Sequence, residues 1–282
     1  MNKDGVTFRL AKDRIFKGLV ILFSFLSGIP LIIILYYITS KGISSINWDF
    51  IINLPKPVGE IGGGISNAII GTLILVLVSC ILAVPLGISA GIYLSETRKG
   101  KIAYVVRLCV EGLQGIPSIV IGIIAYAWVV VPMKTPSAIS GSVALAIMML
   151  PVIVRSTEET LKLMPNSLRE ASLALGVPYF RTILKVILPA GLSGIVTGIL
   201  LSVARIAGET APLLFTAFGG NFMNANIFKP MSSLPLLIFN YATSPYSELI
   251  SFAWGASFVL AVLVLSLNII AKLVAKKWKV QF

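Results

Sequence analysis

The sequence predicts an all-α, polytopic membrane protein with six transmembrane helices and both termini in the cytoplasm. Three observations predict it. Of 282 residues, 57% are hydrophobic and only 12% charged, where soluble domains carry roughly a quarter charged; the mean hydropathy is +0.96. Six stretches reach or approach the roughly 20 apolar residues that a bilayer core requires. The basic residues fall mainly on one side of those stretches. This composition excludes a water-soluble enzyme, and it is the opposite of what disorder requires.

The first stretch, 18–38, is interrupted only by small polar residues and Pro30. It reads as a retained anchor, being longer than the apolar core of a secretory signal and closed by no clear small-x-small site. The second, 65–94, is long enough to tilt, with Pro85 as an expected kink. The third, 104–131, carries Arg107, Glu111 and Gln114 in its first half. The fourth, 138–154, is short; the fifth is 187–207 and the sixth 249–274. Tyr36, Tyr37, Tyr93, Tyr104 and Trp278 lie near span ends, where aromatic side chains form interfacial belts.

Orientation follows from the charges. Of 23 Lys and Arg, 18 fall on the inner side, Arg98 and Lys279 among them. Lys41, Lys56, Lys134 and Lys229 fall outside, and Arg205 lies within a span. That asymmetry is a positive-inside signal. The net charge of +12 is thereby an orientation device, and no nucleic-acid partner is needed to explain it.

Several chemistries are missing. There is no histidine, hence no Ser-His-Asp or Cys-His set and no common metal ligand. Cys80 and Cys109 both sit in apolar runs, which speaks against a disulfide framework or a zinc site. No phosphate-binding Gly-x-x-x-x-Gly-Lys-Ser/Thr loop occurs, so the chain is expected not to hydrolyse ATP itself. Catalytic and metal-binding residues are expected to be none.

The segment between the fourth and fifth spans is the most informative. Ser156 and Glu159 have capping-box spacing, with Pro165 ending a first short helix. Ser167 and Glu170 repeat the device, and Leu168, Ala171, Ser172 and Leu175 form one apolar or small face. Gly176 suits a left-handed helix end and Pro178 prevents continuation. The spacing predicts a helix of about nine residues, too short to span. It is either an ordinary interfacial helix or a docking element for another protein.

Glu170-Ala171-Ser172-Leu173-Ala174-Leu175-Gly176, followed by Ile187-Leu188-Pro189, resembles the EAA motif of ABC importer permeases, with Ser172 in place of the second alanine. The resemblance implies a type I importer permease fold in residues 65–282, after a tail, anchor and outer loop in 1–64. It implies a coupling helix at about 167–176 that inserts into an ATPase subunit, with Ser167, Glu170, Ala171, Ser172 and Gly176 as coupling residues. Residues 115–120 and 204–214, with Leu234-Pro235-Leu236 and Phe239-Asn240-Tyr241, are similar to phosphate-specific permeases of the PstA type rather than their PstC-type partners. The implied assembly contains this chain, a PstC-like permease, an ATPase dimer that binds ATP and Mg, and an extracytoplasmic phosphate-binding protein. The implied location is the inner (plasma) membrane of a prokaryote, and the implied cargo is phosphate, with another oxyanion as the alternative.

Ionisable residues in the bilayer are costly, at least about 2.5–3.5 kcal/mol each, so each is a candidate site. Arg205 and Glu209 are four apart, on one helix face at the outer end of the fifth span. Either they neutralise one another, or Arg205 contacts a translocating anion, matching two phosphate oxygens with its planar fork. Glu209 either fixes the arginine rotamer or accepts a hydrogen bond from a phosphate P–OH. Thr210 is grouped with them on the pathway. Arg107 and Glu111 have the same spacing near the inner end of the third span: a structural pair, or an exit path. The connection 208–248, with Asn221, Asn224 and Asn226, ends in an apolar stretch, 234–241, that is either re-entrant or an outer surface helix. A proton-coupled secondary transporter using Glu111 or Glu209 is the rival reading, and a membrane enzyme a remote third.

Overall fold

In an apolar surrounding a helix satisfies its own backbone groups, and the long runs of Leu, Ile, Val and Ala take that form. The computed structural model describes residues 3–277 except Ile61 and Arg98; Arg98, Trp278 and Lys279, used in the reading above, lie outside the described residues. The helices are α1 (Lys3–Gly42), α2 (Trp48–Ile52), α3 (Ser66–Glu96), α4 (Lys101–Gly115), α5 (Ser118–Met133), α6 (Ala138–Lys162) and α7 (Asn166–Ala174). They continue as α8 (Tyr179–Ala190), α9 (Leu192–Ile206), α10 (Ala211–Thr216), α11 (Leu234–Ala242) and α12 (Ser247–Lys277).

Four of these are long and apolar enough to cross a membrane alone, and six crossings result if each of two bent pairs is one span. The third span is broken at Pro117. Extended backbone at Ile116 and Pro117 separates α4 from α5, and the two meet at 110°. Proline removes an amide donor and restricts the residue before it, which is why the break falls there. The fifth span is likewise bent, by 66° between α8 and α9, just after Pro189, and it starts earlier than expected. The fourth is longer than expected: α6 has 25 residues, and Ser156 to Glu159 lie inside it rather than starting a new helix. The Ser156 hydroxyl instead donates to Gly194 O at 3.2 Å. The anchor too is longer, 40 residues in α1, with Pro30 inside it.

The bundle is built on α3 and α6. The Ser79 hydroxyl donates to Ser142 O at 3.1 Å, and the Ser142 hydroxyl returns to Leu75 O at 3.1 Å. Small residues let the two backbones close in, the usual device of membrane helix pairs. A Cβ on Gly91 would lie 2.5 Å from Thr157 Cβ and 2.9 Å from Val154 O. Replacing Gly91 with valine is therefore expected to push α3 off α6, costing about 1–3 kcal/mol. A lower thermal midpoint in detergent should follow, while Gly112→Val, where a Cβ meets nothing within 4 Å, should be tolerated far better.

One core cluster joins Leu75, Ala83, Leu145, Met149, Ile153, Val203, Ile206 and Leu213. A second, around Phe50, Ile65, Leu234 and Leu237, packs α2, α3, α11 and α12 together. The stretch 234–241 takes part in that packing. It is the nine-residue α11, capped by Ser233, with Leu234 to Leu237 buried and Leu234 N bonded to Thr72 Oγ1 at 2.9 Å. The segment before it folds back over the start of α6, whose first amides lack partners within their own helix. Ser137 N donates to Thr216 O at 3.0 Å, Ala138 N to Lys229 O at 3.0 Å and Ile139 N to Ile227 O at 2.9 Å.

Candidate functional site

Pro165 starts α7 and a left-handed glycine ends it. Gly176 has φ +75°, Val177 N donates to Ser172 O at 3.3 Å, and Gly176 N donates to Leu173 O at 2.9 Å, the double closure of a Schellman end. Two expectations fail at the other positions. Ser167 is not the cap: the helix begins at Asn166 with Pro165 before it, and no side chain caps its amides. Leu175 is not buried but 83% exposed, because it follows the last helical turn and points away from the bundle. Glu170 and Ala171 are also exposed. The inward face is carried by Ser172, whose hydroxyl lies 2.9 Å from Thr182 Oγ1, and by half-buried Leu168. Leu163, Leu173, Leu175 and Phe180 stand in the open around the helix. An apolar rim of that kind marks a protein or membrane contact.

Arg107 and Glu111 do not pair with one another. Arg107 Nε lies 2.8 Å from Glu158 Oε1 on α6, and its Nη2 donates to Leu94 O and Thr97 O at 2.8 and 3.1 Å. Glu158, with a side chain 11% exposed, also takes Lys162 Nζ at 2.6 Å. Glu111 faces Arg155 at 3.6 Å, which also holds Glu159 at 3.1 Å. These six side chains surround a cavity of about 150 Å³. Three cations face three carboxylates, so the cavity has no net preference for an anion.

Arg205 and Glu209 do not share a helix. α9 ends at Ile206, and Gly208 and Glu209 form a turn, their amides bonded to Arg205 O and Ile206 O. Across that turn Arg205 Nε is 3.9 Å from Glu209 Oε1, too long for a hydrogen bond. The arginine side chain is 53% exposed, on the unpacked stripe of α9 that includes Thr197 and Leu201. Its level in the bundle also differs from expectation. Gly194 packs against Thr160 and Gly198 against Ser156, so α9 runs antiparallel to α6. Seven residues, about 10 Å of helix, separate Gly198 from Arg205, which puts Arg205 level with Met149, near the middle of α6 rather than at the outer end. Val203, Ile206 and Met149 share one cluster, as that register requires. Thr210 follows at the start of α10, one turn from the arginine.

Sequence reasoning missed Glu96, Glu158, Tyr179 and Thr182. Glu96 and Arg169 are 73 residues apart, yet their side chains meet at 2.7 Å; no local periodicity links them. The one available signal was a carboxylate closing an apolar span.

A short helix thus lies outside the spans, and an arginine stands level with the middle of α6. Two solved structures share the fold. An inward-facing MetNI methionine ABC transporter aligns at TM-score 0.65, 22% identity, over 76% of this chain and 95% of that one. A bacterial alginate ABC transporter aligns at TM-score 0.62, 13% identity, over 98% and 96%. The fold class is that of a type I ABC importer permease. Among sequences, the chain is 44% identical over 250 residues to the phosphate transport system permease protein PstA of Yersinia pestis, covering 88% of this chain and 85% of that one. It is 39% identical to PstA of Pasteurella multocida (94% and 95%) and 38% identical to PstA 1 of Mycobacterium tuberculosis (87% and 83%). Residues 83–280 match the family described as binding-protein-dependent transport system inner membrane component. The chain belongs to that family and, within it, to the PstA permeases.

Proposed function

We propose that this chain is one of two permease subunits of an ATP-driven phosphate importer in the inner membrane of a bacterium. A PstC-like permease completes the pathway, an ATPase dimer binds ATP and Mg, and an extracytoplasmic binding protein delivers phosphate. The observation that carries the reading is Arg205: a half-exposed guanidinium level with the middle of α6, beside a break between two helices and 3.9 Å from Glu209. Irregular backbone at that depth is tolerated against protein or a water-filled cavity. The arginine fork offers two parallel donors to an oxyanion. The names of the relatives supply phosphate as that oxyanion. Glu209 and Thr210 in the adjoining turn belong to the same contact, and Arg107 and Glu111 line the inner end of the pathway with their charges neutralised.

Coupling follows from α7. ATP-driven closure of the ATPases moves the helix at Ser167, Glu170, Ala171, Ser172 and Gly176, and the spans rock between inward- and outward-facing states. A two-state element biased by ATP at one end and by substrate at the other is what such coupling requires.

The complete assembly in vesicles, supplied with binding protein and ATP, should accumulate phosphate and exclude sulfate. Uptake that follows a proton gradient without ATP would establish the secondary-transport reading instead. Equal uptake of sulfate would assign the chain to another oxyanion.

A further inference from the structure

Glu96 is the last residue of α3. Its Oε1 lies 2.7 Å from Arg169 Nη2 on α7, and its Oε2 accepts a hydrogen bond from the Tyr179 hydroxyl at the start of α8. The ion pair is largely withdrawn from solvent, with side-chain exposures of 15% for Arg169 and 16% for Glu96. A pair this sheltered is screened far less than one at the surface. Arg169 has little else to hold it. Its Nε is buried without a partner among the described residues, and its remaining contact, Nη1 to Asn166 Oδ1, is 3.4 Å long.

One carboxylate therefore ties the end of α3 to the short helix and to the helix that follows it. The Ser172–Thr182 hydroxyl contact, 2.9 Å long, binds those two helices to each other, so α7 and the start of α8 act as one body. On the other side α3 is locked to α6 where Gly87 faces Ile153 and Gly91 faces Thr157. The helix carrying Arg205 packs on α6 in turn, through Gly194 and Gly198. A displacement of α7 must then carry Glu96 and α3 with it, or break both bonds of that carboxylate.

We infer that Glu96 is a positioning residue for transport: the joint through which α3 follows the coupling helix, so that ATPase closure reaches the pathway. This rests on the importer reading above. It makes no claim that Glu96 touches ATP, the ATPase or the anion. Its effect is exerted through Arg169 and Tyr179.

The test measures phosphate taken up per ATP hydrolysed, using the full assembly with its binding protein in vesicles. Glu96→Gln keeps the shape of the side chain and removes its charge; Tyr179→Phe removes the second bond alone. Glu96→Gln is expected to hydrolyse ATP at a rate within about twofold of the unaltered assembly and to lower uptake per ATP by about tenfold, inside the range of typical coupling energies. Tyr179→Phe should lower the ratio by less. Exchanging the charges, Glu96→Arg with Arg169→Glu, should restore most of it. A normal ratio in an assembled Glu96→Gln would overturn the inference, as would failure of the exchanged pair to restore it. Loss of assembly in Glu96→Gln would also overturn it, because the pair would then hold the complex together rather than transmit movement. If the unaltered assembly takes up no phosphate, it is the importer reading that fails.

Discussion

Phosphate uptake by the assembled importer is expected to fall roughly 30- to 150-fold when Arg205 is replaced with alanine. The estimate takes about 2–3 kcal/mol for lost hydrogen bonds to a charged group, at about 1.4 kcal/mol per factor of ten. The amount of protein in the membrane should hardly change. Arg205 is half exposed and its ion pair with Glu209 spans 3.9 Å, and pairs of that kind contribute about 0–1 kcal/mol to stability. Arg205→Lys keeps the charge and loses the fork, so it should retain a part of the uptake. Initial rates with labelled phosphate, normalised to permease in the vesicle, decide the matter. Unchanged uptake in Arg205→Ala would remove the arginine from the pathway.

The second large effect is expected at Gly176. A Cβ there meets nothing within 4 Å, and the obstacle is the backbone angle of +75°. A left-handed conformation costs an ordinary residue about 1–2 kcal/mol, and a β-branched one is a genuine outlier there. Gly176→Val should therefore undo the helix end that directs Val177 and Pro178 back toward the bundle. ATP hydrolysis is expected to continue while uptake per ATP falls, with insertion in the membrane intact. Gly176→Asn, which visits the left-handed region more readily, should be milder. Normal uptake in the valine variant would mean that the end geometry of α7 does not matter for coupling.

The spans were legible because a bilayer demands long apolar runs, and nothing local competes with that demand. Gly176 was legible for a similar reason: a glycine two residues before a proline leaves few other backbone solutions. Ser167 misled because its spacing to Glu170 imitates a cap, whereas Pro165 had already fixed where α7 begins. Ser156 misled in the same way, being taken up by a hydrogen bond to Gly194 O and packing against Gly198. The ion pairs were misread more deeply. Four-residue spacing assumes an unbroken helix and no better partner elsewhere. Arg107 pairs with Glu158 and Glu111 faces Arg155, both on α6, and the α9 helix stops before Glu209. Partners on other helices, such as Glu96 for Arg169, leave no trace in periodicity.

The segment draped over the start of α6 has a bearing on how the chain is made. The amides of Ser137, Ala138 and Ile139 receive their acceptors from Thr216, Ile227 and Lys229, which leave the ribosome roughly 80–90 residues later, or about 4–18 s at bacterial elongation speeds. Throughout that interval the leading end of α6 lacks these three acceptors. Insertion of that helix and completion of its leading end are thus separate events.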